Sequence, residues 1–250
     1  MKVMNLFKVI KFDLTNSLKN PSFLIAYIFF PSMILAGLGY LTKDNYGAYK
    51  FSSIDFYGIT MGIFLCLFIS QLVSNSFTDE LIKAVNIRVI YSPTYKAYIY
   101  LSKIISAFAF GSILFSIFAL FESYILRVNF GGNKSPYVFF IMILFLFFMC
   151  TLGAFICCII PNGDAANKVI TLICFLFAGL GGAFMPLGHF GKSLNIISSL
   201  SPVKIVSKCA FAIIYDSDFS MIIPTSTLLI ILSIILIILC QITFKPEEYI

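Results

Sequence analysis

The stretch YVFFIMILFLFFMCTLGAFICCII, residues 137–160, decides the fold class because it contains no charged side chain. The hydrocarbon core of a bilayer is about 30 Å thick, and a helix needs about 20 mostly apolar residues to cross it. A helix on the surface of a water-soluble domain keeps one polar face toward solvent, which this stretch lacks. The sequence therefore predicts a membrane-spanning helix here.

The rest of the chain repeats this pattern. Further apolar runs cover residues 22–41, 57–77, 104–126, 168–186 and 221–244. Of the 250 residues, 60% are hydrophobic and only 11% are charged, which excludes an ordinary soluble domain. Alternating segments typical of membrane strands are not found. We predict an all-α integral membrane protein with six transmembrane helices, forming a single domain over residues 1–250.

Residues 1–20 are expected to form an amphipathic helix that lies in the membrane interface. At helical spacing, one side collects Val3, Leu6, Phe7, Ile10, Leu14 and Leu18, and the other collects Lys8, Lys11, Asn16 and Lys19. Asn20 and Pro21 then interrupt the helix before the first apolar run. An ordinary cytoplasmic surface helix is the alternative interpretation.

The basic residues indicate the orientation. With the N-terminus inside, ten of the 17 Lys and Arg lie in inner segments, including the two densest clusters. An even number of spans then also places the C-terminus in the cytoplasm. Because these cations are scattered through short loops and form no basic face, the net charge of +6 does not predict nucleic-acid binding.

Neither a metal site nor a nucleotide site is predicted in this chain. The seven Cys residues lie mostly inside apolar runs, and there is one His, so we interpret the cysteines as buried hydrophobic residues. The stretch PLGHFGKSL, residues 186–194, ends like a phosphate-binding loop. That loop requires Gly where this chain has Pro186, which has no N–H to offer a phosphate.

The most informative polar segment is residues 78–103, between the second and third apolar runs. It reads DELIKAVNIRVIYSPTYKAYIYLSK from Asp79 to Lys103, with charged and apolar residues interleaved before the break at Ser92-Pro93. This segment resembles the cytoplasmic loop of type-2 permeases of ATP-binding-cassette transporters. The residues that match the family pattern, in order and spacing, are Glu80, Arg88, Ser92, Pro93 and Lys103. Ala84-Val85 replaces the usual Gly-Thr.

A second resemblance to the same family lies in residues 187–220 and the Gly-rich end of the fifth run. Pro186 and Ser201-Pro202 stand at matching places. In that family the region forms short re-entrant helices in the outer leaflet, so the resemblance implies an outer gate that includes Pro186 and Pro202. The likeness extends over essentially the whole chain.

The resemblance implies the permease half of an ATP-driven exporter in the plasma membrane, with no catalytic site of its own. A separate ATPase subunit would bind ATP and Mg, and a second permease copy or a paralogue would complete the path. The residues implied to dock the ATPase are Glu80, Lys83, Arg88, Ser92 and Pro93. Members of this size favour a drug-like compound or an antimicrobial peptide as cargo.

Glu122 is an ionisable residue at the end of the third apolar run, where a carboxylate is costly unless it is hydrated or paired. It is expected to reach water at the outer interface, to pair with Arg127, or to line a path. The alternative functions are a secondary transporter, which uses buried ionisable groups, and a membrane-embedded lipid-modifying enzyme. Glu122 is the one residue that favours either alternative.

Overall fold

The computed structural model of the chain describes residues 6–19, 23, 25–43, 52–78, 97–184, 198–199 and 201–244. Within these residues all regular secondary structure is helical. This confirms the predicted all-α class.

Nine α-helices are described. In chain order they are α1 (Leu6–Lys19), α2 (Phe30–Leu41), α3 (Ser53–Phe68), α4 (Ser70–Thr78), α5 (Ala97–Phe121), α6 (Ser135–Ile159), α7 (Gly163–Gly181), α8 (Pro202–Phe211) and α9 (Ile222–Thr243). Shorter elements adjoin them: π-helical turns at Ile25–Phe29, Glu122–Leu126 and Ala212–Asp216, and a 3₁₀ turn at Gly132–Lys134.

In the described part of the chain, five helical segments are long and apolar enough to cross a membrane. Numbered along the chain, they are the second span (Ser53–Phe77), the third (Ala97–Leu126), the fourth (Gly132–Ile159), the fifth (Gly163–Gly181) and the last (Ile222–Thr243). These five confirm the corresponding predicted runs. The first apolar helix is described over Ile25–Leu41, so a sixth full-length span at this place stays a prediction. Its described residues extend about 25 Å, short of a hydrocarbon core of about 30 Å.

Several helices begin earlier than the apolar runs because their first turns are polar. Ser52 caps the second span by accepting a hydrogen bond from the backbone N–H of Asp55, and the Asp55 carboxylate accepts the N–H of Ser52 in return. Asn162 caps the fifth span through the N–H of Ala165. Hydropathy alone does not detect such polar first turns.

The second span forms the centre of the bundle, and the last span lies at its edge. In their most apolar windows, 89% of the second span is buried and only 17% of the last span. Gly153 of α6 permits a close approach to the second span, because an added Cβ would lie 2.6 Å from the carbonyl oxygen of Ser70. All seven cysteines are free and buried.

Two helical ends widen into π turns that finish in the same way. In the first, the N–H of Val128 donates to the carbonyl of Glu122 at 3.2 Å, and in the second the N–H of Asp218 donates to that of Ala212 at 3.1 Å. The residue before each donor is left-handed, with φ 55° at Arg127 and 54° at Ser217. Both turns therefore close on a non-glycine residue in a conformation that side chains rarely adopt.

Helix α1 packs along the first turns of α5. Val9 and Asp13 are buried on the packed side, whereas Phe7 and Leu18 are exposed. Part of the predicted membrane-facing side is thus exposed, as an interfacial helix requires. Its position in a membrane stays a prediction.

Candidate functional site

An apolar groove of about 640 Å³ runs between the first apolar helix, the second span and the fifth span. Six aromatic side chains dominate its lining: Tyr27, Phe29, Phe30, Phe64, Phe68 and Phe175. This volume falls in the range of sites that hold drug-sized molecules. Gln71 is the single amide side chain among its lining residues.

Polar side chains join the C-terminal half of the second span to the fifth span. We call these three pairs the polar seam: Ser70 with Cys174 at 3.5 Å, Gln71 donating to Thr171 at 2.8 Å, and Asn167 donating to Asn75 at 3.2 Å. In an apolar surrounding such pairs fix the relative rotation of two helices, because any other rotation leaves the polar groups without partners. The seam therefore holds one wall of the groove in register with the other.

The second span is interrupted at Ile69, between α3 and α4. Near this point the carbonyl of Leu67 accepts hydrogen bonds from the Ser70 hydroxyl at 2.6 Å and the Cys174 thiol at 3.3 Å. The Tyr27 hydroxyl donates to the carbonyl of Phe68 at 3.1 Å. Side chains from both neighbouring helices thus satisfy the backbone where the helix is interrupted.

At the other end of the fifth span, Pro202 is the first residue of α8 and is buried. The Ser201 hydroxyl beside it donates to the carbonyl of Phe177 at 2.9 Å. Gly181 allows Val203 to pack against the fifth span, since any Cβ at this position would clash with the Val203 side chain. Pro202 therefore starts a short helix fixed to the end of the fifth span, while Pro186 lies outside the described residues.

Glu122 is fully buried, so the expectation that it reaches water is wrong for the chain described here. Its Oε1 accepts a short hydrogen bond from the Ser32 hydroxyl of α2. Its Oε2 has no hydrogen-bond partner within the described residues. The expected pair with Arg127 is not formed in that part of the chain either, because Arg127 lies exposed in the left-handed turn that ends the helix.

At the opposite end of the third span, Lys103 forms a buried ion pair with Asp13. The Lys103 Nζ lies 2.8 Å from Oδ1 and 2.9 Å from Oδ2 of Asp13, and both side chains are 1% exposed. Burial raises the pKa of the Asp13 carboxyl, and the facing ammonium group opposes that rise. Asp13 and Lys103 thus join α1 to the start of the third span.

The other residues of the predicted docking loop lie outside the described residues. They are Glu80, Lys83, Arg88, Ser92 and Pro93. Their docking role stays a prediction, and Lys103 is the one residue of the sequence motif whose contacts are described.

The family model for the ABC-2 type transporter matches residues 4–215, which is most of the 250-residue chain. The chain belongs to the ABC-2 type transporter family. The match confirms the resemblance drawn from the docking segment and the Gly-rich end of the fifth run. No curated protein matches the chain.

Family membership makes this chain a transmembrane permease and a multi-pass membrane protein. The matched domain is the membrane domain of such transporters and contains no ATPase domain, so the family implies an ABC ATPase partner that uses ATP. It argues against the secondary transporter and the lipid-modifying enzyme. In the described part of this ABC-2 permease, no group of three or more His, Cys, Asp or Glu residues could hold a metal ion.

Sequence reasoning missed the polar seam and Asp13 of this ABC-2 permease. Asp13 carried a usable signal, since it is the one acid among residues 1–20 and lies four residues after Val9 on the same helical face. Gln71 and Thr171 carried none, because single polar residues in an apolar run reveal neither which helix they face nor at which height.

Proposed function

We propose that this permease forms half of the translocation path of an ATP-driven exporter, with the apolar groove as the cargo-binding wall. Two permease chains, either copies or paralogues, would enclose the path between them. Residues 78–103 would dock a separate ATPase subunit on the cytoplasmic side, where both termini lie, and that subunit would bind ATP and Mg. The membrane is the plasma membrane.

The groove is the observation that carries this proposal. Its lining is aromatic and aliphatic, with Gln71 and the Tyr27 hydroxyl as polar groups within it. A hydrophobic or amphipathic molecule would leave water for this surface and orient itself by a few hydrogen bonds. These properties favour a drug-like compound or an antimicrobial peptide as cargo.

The exposed apolar face around the groove supports the assignment of a second permease chain. Large side chains project from the first apolar helix and the fifth span: Ile25, Phe29, Phe30, Met33, Leu172, Phe175 and Leu176. A face of this kind can contact lipid, but where it adjoins a groove it also suits a partner surface. A second chain set against it would turn an open groove into an enclosed path.

Reconstitution tests the proposal. The permease with its ATPase subunit, in sealed vesicles, should move a hydrophobic cationic dye such as ethidium, or a labelled antimicrobial peptide, only when ATP is present. Transport should stop when the catalytic carboxylate of the ATPase is replaced. Transport that continues without ATP hydrolysis would contradict an ATP-driven exporter.

A matched pair of variants tests the groove. Phe175→Ala removes a groove residue that is 49% exposed, and Phe140→Ala removes one that is 50% exposed on α6 and outside the groove. We expect Phe175→Ala to raise by about tenfold the cargo concentration that gives half-maximal stimulation of ATP hydrolysis. The reason is that an aromatic contact buried by the bound cargo contributes about 1–2 kcal/mol. Phe140→Ala should leave that concentration unchanged. Equal effects in both variants would argue against cargo binding in the groove.

A further inference from the structure

Asp13 and Lys103 form a buried ion pair. A gain in stability alone is a poor explanation for its presence. Both side chains are 1% exposed, and both carboxylate oxygens contact the same ammonium nitrogen. Moving two charges out of water costs about as much as their attraction returns, so apolar residues of similar size often stabilise such a position equally well. An apolar pair would not fix the relative position of the two helices. The two hydrogen bonds to one nitrogen fix both the height and the rotation of the helices.

The position of the ion pair in the chain places this fixed geometry between two elements of the proposed function. Lys103 lies on the seventh residue of α5, shortly after the segment that resembles the ATPase-docking loop. Asp13 lies on α1, which precedes the first apolar helix. The pair therefore joins the segment nearest to the ATPase to the element that leads into the groove wall.

Further contacts continue from this pair to the groove. Seven residues beyond Lys103 on α5, Phe110 meets Phe23 edge to face, with 6.1 Å between ring centroids. Phe23 in turn meets Tyr27 at 6.2 Å, and the Tyr27 hydroxyl is bonded to the carbonyl of Phe68 at the interrupted turn of the second span. Tyr27 and Phe68 both line the groove.

We propose that Asp13 and Lys103 are positioning residues that transmit movement of the docking segment through α1 to the first apolar helix and the groove. This inference rests on the proposed function. When the ATPase moves residues 78–103, the start of α5 moves with them, and the ion pair makes α1 follow. An apolar contact at the same place would let the two helices slide.

The test uses the permease with its ATPase subunit in lipid nanodiscs and needs no cargo. A cysteine placed at Met33, which is 73% exposed in the groove, reports groove rearrangement through its rate of labelling by a fluorescent maleimide. The seven native cysteines are buried and provide a low background. A cysteine at Ile238, 52% exposed on the last span, is the matched control. Labelling is compared before and after vanadate traps nucleotide in the ATPase.

In the parent background, trapping should change the labelling rate at Met33 and leave that at Ile238 unchanged. In the apolar variant Asp13→Leu/Lys103→Met, the change at Met33 should be lost, and the amount of ATPase bound in the same nanodiscs is measured to normalise the labelling rates. The charge swap Asp13→Lys/Lys103→Asp should restore it. Should the apolar variant fail to assemble, the neutral pair Asp13→Asn/Lys103→Gln serves in its place with the same expected loss.

A folded apolar or neutral variant that responds to trapping as the parent does would overturn the proposal. Loss of response in the charge swap as well would also overturn it, because the pairing itself would then not be the determinant. If the parent already fails to respond, or no ATPase assembles with it, the proposed function fails instead.

Discussion

The two ends of the third span each bury one carboxylate group, and the two groups have different surroundings. Near the N-terminal end of this span, both oxygens of Asp13 contact the ammonium group of Lys103. At its C-terminal end, Glu122 receives one hydrogen bond from Ser32, and its Oε2 has no partner in the described part of the chain. The distance between Lys103 and Glu122 along the helix is about 28 Å, close to the thickness of the hydrocarbon core.

This difference indicates a fixed contact at Lys103 and a less stable one at Glu122. An ion pair held by two hydrogen bonds resists separation, because opening it leaves two charges in an apolar surrounding. A carboxyl group with an unused oxygen gains a partner whenever a neighbouring helix shifts or water enters. In this ABC-2 permease we therefore expect the contact between the first apolar helix and Glu122 to rearrange more readily than the contact between Asp13 and Lys103.

The largest effect is expected from Lys103→Met. The variant leaves the Asp13 carboxylate buried without its cation, which should cost about 3–5 kcal/mol of unfolding free energy. Thermal unfolding in detergent, followed with a dye that reacts with newly exposed thiols, would measure the loss. Lys11→Met is the control, since Lys11 is exposed on α1, the helix that carries Asp13. Equal stability of the two variants would contradict a structural ion pair.

A smaller effect is expected from Ser32→Ala. Among the described residues Ser32 is the one hydrogen-bond donor to Glu122, and its removal should cost about 1–3 kcal/mol. Ser116→Ala removes an exposed hydroxyl of α5 that bonds only its own helix, and should change little. A Ser32→Ala variant that unfolds at the temperature of Ser116→Ala would show that the buried contact contributes nothing.

Glu122→Gln should change stability by only about 1 kcal/mol, since the amide oxygen can still accept from Ser32. Because that hydrogen bond persists, Ser32→Ala should cost about as much in the Glu122→Gln background as in the parent chain. A double-mutant cycle on the same unfolding assay compares the two costs. A cost of Ser32→Ala that vanishes in the Glu122→Gln background would show that the amide does not accept this hydrogen bond.

The smallest effect is expected on the last span, at a position that takes part in neither of the two buried carboxyl contacts. Ile234 is 51% exposed on α9, and Ile234→Ala should alter stability by no more than about 0.5 kcal/mol. This variant gives the baseline for an apolar position at the edge of the bundle. A loss comparable to that of Ser32→Ala would indicate that this face is covered by another chain.

The sequence was sufficient to predict the five long spans because each is a largely apolar run, and hydropathy reports directly on that property. It was less accurate at the ends of the helices. Ser52 and Asn162 begin helices inside polar sequence, where the determining signal is a cap and not hydropathy. Of the first apolar run, residues 22–41, the structure describes a continuous helix over Ile25–Leu41.

The contacts between helices were harder to predict from the sequence. Glu122 stood out as a costly residue, but its neighbour in sequence, Arg127, was a poor guide to its partner because the helix ends between them. Ser32, its actual partner, lies 90 residues earlier. Lys103 was identified through the family pattern, yet the pattern contains no information on α1, where Asp13 lies. Such pairs depend on which helices are neighbours and how each is rotated.

The π turns that close on Arg127 and Ser217 have an evolutionary consequence. A π turn contains one residue more than an α turn and usually arises as a local bulge in an otherwise regular helix. At the ends of these two helices the chain can therefore gain or lose one residue while the buried faces of the preceding helices keep their alignment. Relatives of this permease that differ by a single residue at either position can share the same interior and present differently rotated loops after these helices.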